Sequence, residues 1–311
     1  MTNQLIKKIN LNHSFIFFLL INLFSVVMFK FNYLDISSSI CLFLILTIGV
    51  SHGALDNVKG KKLLKLFNFE RIYVFYIFYI FIAVCVIIIW SLLPATTLLV
   101  FLIVAAFHFG KEDTQFLINK KSYLIQLLYL LKGSLIILAP LFFHFDETLK
   151  IFETLMVNKT FLTFLELEHW IINFFLFLSF IGYLYFANKN KFEDFEVLFL
   201  DMLSIVILNY IFSPIIAFTV YFCFLHSIRH IISLSNELDK NDFSNGVKIF
   251  IKKALPLTVV TAILYLVASI LLSKSFGLND VIIKAIFIGL ASLTFPHILL
   301  EYLLEINEKR N

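Results

Sequence analysis

Ten long apolar runs, most of them carrying one charge or none, constrain this chain more than any other feature. They fall near 14–30, 33–54, 72–93, 95–109, 122–143, 167–187, 195–212, 214–234, 255–273 and 281–304. A helix needs about 20 mostly apolar residues to cross a bilayer, and lipid offers no partner to an unpaired backbone group. Each run is therefore expected to be a transmembrane helix, with 95–109 drawing on its flanks to reach full length. Strands of a membrane barrel would alternate in polarity over about ten residues, whereas these runs are apolar all round. The expected fold class is all-α: a polytopic membrane helix bundle of about ten spans, forming one domain over 1–311. Pro94 and Pro214 sit between adjacent runs. Proline disfavours the helical state in the residue before it, so tight helical hairpins are expected at both.

Composition narrows the function. The chain is 60% hydrophobic and 15% charged, against about 45–50% and 25% for soluble domains. An ordinary soluble enzyme, a secreted disulfide domain and a disordered chain are excluded. The net charge of +4 comes from 25 basic and 21 acidic residues spread between the apolar runs, which argues against a nucleic-acid-binding face. Cys41, Cys85 and Cys223 all lie inside runs; three scattered thiols make neither a disulfide framework nor a metal site.

Lysine and arginine set the orientation. If the N-terminus and every second loop share one side, that side holds 18 of the 25 basic residues, and the other only Lys30, Lys150, Lys159 and Lys274. Lys132, Arg229 and Lys284 fall inside runs. Positive loops stay cytoplasmic, so both termini are expected inside, in the cell's inner membrane. Lys7 and Lys8 precede the first run, but no small-residue cleavage site follows it, so it reads as a retained span. The outer segment 144–166 alternates apolar and polar residues, and either an interfacial helix or an exposed loop fits it.

This topology sorts the histidines. His52 ends the second run, His108 the fourth, His226 and His230 lie late in the eighth, and His297 late in the tenth. All four helices would run outside to inside, so five imidazoles converge at similar depth near the cytoplasmic face. His226 and His230, four apart, share a helix face about 6 Å apart along the axis, close enough to share one ion. An ionisable side chain inside lipid is costly and marks a functional site. Asp56, Glu112 and Glu301 each follow a histidine by four positions. They are candidates to accept the second imidazole N–H, as carboxylates do around metals; salt bridges to Arg229 or to lysines would explain them equally. Arg229 needs an anion, and Asp56 is the first candidate. An all-nitrogen donor set suits Fe, Zn, Cu or Ni. The 39 phenylalanines fit lipid-facing filler, and would also line a tunnel for a flat conjugated hydrocarbon.

His-Gly-Ala-Leu-Asp at 52–56, His-Phe-Gly at 108–110, His-Ser-Ile-Arg-His at 226–230 and Pro-His at 296–297 together resemble the bacteriorhodopsin-related-protein (Brp/Blh) family of β-carotene 15,15′-dioxygenases, from about 40 to 304. The resemblance implies a membrane enzyme that uses Fe(II) and O2 to split β-carotene centrally into two retinals, the chromophore of microbial rhodopsins. It implies iron ligation by His52, His108, His226 and His230, with His297 as a nearby polar group or alternative ligand. Four neutral histidines would leave iron its +2 charge and an open position.

Other classes have weaker support. A di-iron desaturase or hydroxylase uses more histidines in paired boxes. A transporter would show midplane carboxylates and broken helices, for which Asp201 and the prolines are the only hints. Histidines four apart on one helix are poorly placed for the two faces of a haem. Lys132 or Lys284 would have to carry a Schiff base in a retinal photoreceptor, an architecture that ten spans do not fit.

Overall fold

The computed structural model describes residues 3–30, 37–69, 71–117, 122–189 and 192–308. Lys120, Lys121, Lys191, Lys309 and Arg310, counted above for orientation, lie outside them. Among the described residues there is no strand. The helices are α1 (Asn3–Lys30), α2 (Ser38–Leu66), α3 (Tyr73–Leu92), α4 (Pro94–Glu112), α5 (Tyr123–Phe143), α6 (Phe145–Thr154), α7 (Lys159–Leu167), α8 (His169–Lys189), α9 (Phe192–Ile211), α10 (Pro214–Leu238), α11 (Phe243–Leu272) and α12 (Leu278–Glu308).

Each of the ten apolar runs is helical over its described residues, but among the described residues eight helices meet the length and composition of a span, or nine if the bent pair of α7 and α8 is one span. The run outside this count is the seventh, 195–212, in α9; it carries Glu196 and Asp201, and Asp201 is buried in the protein rather than set against lipid. Pro94 and Pro214 each open a helix at its first position, where a missing N–H costs nothing. The segment 144–166 is two amphipathic helices, α6 and α7. The apolar face of α6, with Leu149, Ile151 and Phe152, is buried against the bundle.

The bundle is layered. Only 11% of the residues in the apolar windows of α3 and of α11 are buried, against 61% in α10 and 56% in α12. Exposed Phe78, Leu92, Trp170 and Ile270 therefore face outward, as expected where the solvent is hydrocarbon. Inside, α4 and α5 cross at a pair of facing glycines: a Cβ on Gly110 would strike the Tyr129 carbonyl, and one on Gly133 the Ala106 carbonyl. Small residues at a crossing let two membrane helices approach to backbone contact.

Two helices lose regularity where they meet. A π-helical turn at Ile45–Gly49 and a 3-10 stretch at Val50–Leu55 interrupt α2; a second π-helical turn, Tyr221–Ser227, interrupts α10. Such turns recur at functional sites because they re-aim side chains within an otherwise regular helix. A Cβ on Gly49 would lie 2.5 Å from the Phe222 ring, so only glycine lets the two turns pack.

Candidate metal centre

The two irregular turns present His52 and His226. His52 lies in the 3-10 stretch, and its Nδ1 donates to the Gly49 carbonyl, with the Ser227 hydroxyl 3.2 Å away. His226 follows from the π-helical turn and His230 from the helix beyond it. His108 comes from the last turn of α4, and His297 from α12 one residue after Pro296.

The five imidazoles form one buried cluster. From His52 the ring centroids of His226, His230 and His297 lie at 5.3, 5.4 and 5.6 Å. From His108 those of His226 and His297 lie at 5.4 and 5.3 Å, and His230 and His297 are 5.9 Å apart. The helices thus bring together all four histidines that the resemblance assigns to iron, and His297 stands among them rather than behind them.

Three of the rings are tied down at Nδ1 by a carboxylate from elsewhere in the chain. His226 Nδ1 donates to Asp113 (3.1 Å), His230 Nδ1 to Glu112 (2.9 Å) and His297 Nδ1 to Asp56 (2.8 and 2.9 Å). A carboxylate or a carbonyl only accepts, so the proton of these rings and of His52 sits on Nδ1, and Nε2 keeps its lone pair. The Nε2 atoms of His226, His230 and His297 are buried with no hydrogen-bond partner among the described residues. A buried polar atom is rarely left without one; three in one cluster, each bearing a lone pair, fit a cation. Donor atoms of His52, His108 and His297 lie within 4.8 Å of one another, as do those of His230, His297 and Glu301, and those of His108, Glu112 and Glu301. Nitrogen donors with carboxylates behind them suit a first-row transition metal.

The carboxylates depart from their expected pairings. Asp56 meets His297 and the Tyr79 hydroxyl (2.9 Å), not Arg229. Glu112 meets His230 across the helix interface, not His108. Glu301 points toward the centre: its oxygens lie 3.6 Å from His297 Nε2, 4.0 Å from His230 Nε2 and 3.9 Å from His108 Nδ1, while Lys59 holds it at 2.7 Å.

Arg229 finds its anion in Asp201, at 2.7 and 3.1 Å, and also bonds Ser14 (2.7 Å) and the Asp113 carbonyl (3.1 Å). Asp201 is thereby a structural counter-ion, which removes the hint of a transport site. Lys132 lies 3.9 Å from both Asp113 and Asp201, and Tyr221 donates to Asp113 (2.7 Å). Sequence reasoning passed over Asp113, which stands next to Glu112 at the end of the same helix. Two adjacent acids closing an apolar run that ends in histidine were the available signal. Tyr79 and Tyr221 carried none, being two tyrosines among twelve.

With this geometry in view, the comparisons are specific. A family model described as beta-carotene 15,15'-dioxygenase (BCD) matches residues 43–305. A protein named beta-carotene 15,15'-dioxygenase, from uncultured marine bacterium 66A03, is 26% identical over 266 residues, covering 83% of this chain and 90% of its own length. No solved structure matches. The family match begins before His52 and ends after His297, so it contains every histidine of the cluster, and the chain belongs to the β-carotene 15,15′-dioxygenase family.

Proposed function

We propose that this multi-pass membrane protein cleaves β-carotene at its central 15,15′ double bond with O2, giving two molecules of all-trans-retinal. The C15=C15′ bond breaks, two C=O bonds form, and the four electrons lost by carbon reduce O2, so no further reductant is needed. Fe(II) would be held by Nε2 of His52, His226 and His230 together with His108, with His297 and Glu301 beside them as a fifth nitrogen and an oxygen donor. Bound there, iron would supply the activation of O2 that an apolar alkene cannot provide for itself.

The observation that carries this reading is the outward commitment of Nδ1 on four of five clustered rings, which leaves their lone pairs for one ion. The chain's own residues have definite tasks. Asp56, Glu112 and Asp113 hold tautomer and ring direction. Phe109, its ring 4.8 Å from that of His226, and Phe222, at 5.8 Å, present apolar surface at the centre and exclude water from a hydrocarbon substrate. No side-chain general base is required.

By the lysine and arginine distribution, both termini face the cytoplasm and the cluster sits toward the inner leaflet of the cell membrane. Substrate and product are both lipid-soluble, so release into the bilayer places retinal where a membrane rhodopsin would take it up.

The test is cleavage of β-carotene by purified, iron-loaded protein, with retinal followed by chromatography. His230→Ala should lose both bound iron and retinal formation while still inserting in the membrane. Folded, iron-loaded wild-type protein that leaves β-carotene intact overturns the reading. A two-metal oxidase is the second reading, favoured by a third donor group, His108, Glu112 and Glu301, which shares His108 and Glu301 with the other two; two irons per chain would select it over a single-iron centre.

A further inference from the structure

A narrow apolar cavity lies behind the Phe109 and Tyr221 rings that pack on His226, and runs away from the cluster. The atom-free space in and around it is about 720 Å³, a figure that includes its open mouth. Along α4 it extends from Phe109 back to Phe101, eight residues or about 12 Å. Aromatic rings follow its length: Phe222 lies against His226, Phe218 stacks on Phe222 at 5.4 Å, and Phe287 meets Phe218 at 5.4 Å.

The far end is closed by α6, through Thr148, Ile151 and Phe152, each under 9% exposed. This wall is fixed in place. Trp90 donates to the Leu155 carbonyl (3.0 Å), Lys284 donates to the Thr154 carbonyl, and the Thr148 hydroxyl donates to the Pro140 (3.1 Å) and His144 (2.8 Å) carbonyls. Helices from both sides of the cavity thus anchor α6, which makes it a stop and not a moving lid.

We infer that this cavity takes one cyclic half of the carotenoid and that Ile151 and Phe152 measure it: the end ring abuts α6, and the distance from there to the histidines selects the bond that is cut. The inference rests on the proposed carotenoid cleavage and adds to it the residues that set the position of cleavage. An apolar slot with a rigid floor holds a stiff polyene in one register, because no polar contact is available along an unsubstituted chain. A slot deepened at the floor lets the substrate slide inward, presenting a bond nearer the far half. The chemistry is unchanged; a C=C bond still exchanges for two C=O bonds, but the fragments become unequal.

The experiment gives β-carotene to purified iron-loaded protein and separates the aldehydes by chain length. Wild type should give retinal alone. Phe152→Ala and Ile151→Ala should each make unequal apocarotenals the main products, with retinal reduced severalfold. Ala217→Phe, which adds a ring to the lining of the slot, should lose cleavage at least tenfold while iron content and unfolding temperature stay near wild type. Exclusive central cleavage by both floor variants, or full turnover by Ala217→Phe, overturns the inference alone. Absence of any cleavage by iron-loaded wild type overturns it together with the proposed function.

Discussion

The crossing of α4 and α5 offers a demanding test, because it moves the site without touching a donor. In Gly133→Ala the new Cβ would stand 2.6 Å from the Ala106 carbonyl carbon and 2.8 Å from the Gly110 nitrogen, where ordinary contact starts at 3.4 Å. Both obstacles are backbone, so no rotamer relieves them. The Ala106 carbonyl oxygen is nearer still, so the helices must part by more than about 1 Å, an overpacking strain of about 3 kcal/mol or more. His108 and Glu112 lie two residues to either side of Gly110, so that displacement passes directly to the cluster. A misplacement of about 1 Å typically costs 10²-fold in rate. Gly133→Ala should therefore lower retinal formation between about 10- and 100-fold in a protein that still inserts and unfolds cooperatively. Gly182→Ala is the control. Its Cβ would meet the Leu131 Cβ at 2.8 Å on another interface of α5, and it should reduce stability with little effect on turnover. Turnover of Gly133→Ala within twofold of wild type at equal iron content would refute the reasoning, and so would equal losses in the two variants.

Three further outcomes follow from the buried charges. Arg229→Met should destabilise the protein by about 3 kcal/mol, because it leaves the buried Asp201 with only the more distant Lys132 as a cation; thermal unfolding in detergent measures it. Arg229→Met combined with Asp201→Asn should recover a large part of that loss, and strict additivity of the two single changes would show that the groups are not coupled. Glu301→Gln should weaken iron binding about 10- to 100-fold, the usual cost of disturbing a carboxylate beside a metal centre, as read by iron per chain against a competing chelator.

The pattern of apolar runs is enough to dictate helices in lipid, since nothing else satisfies the backbone there. The position of each histidine along its run, with the distribution of lysine and arginine, is enough to expect five imidazoles at one depth. Both inferences are one-dimensional: they depend on what lies where along a helix. Which carboxylate meets which ring was not legible, because it depends on rotation and crossing of helices, which period and charge do not encode. Asp56 therefore pairs with His297 of α12, Glu112 with His230 of α10, and Arg229 with Asp201 of α9. The same holds for α9, whose acids weaken it as a span until a partner arginine is placed beside one of them. The π-helical turns that aim His226 and seat Gly49 against Phe222 have no sequence signature either; they arise where two helices press together and one takes up an extra residue. Local polarity determined what had to be buried in lipid and at what depth, and only close packing of separate helices decided which buried groups touch.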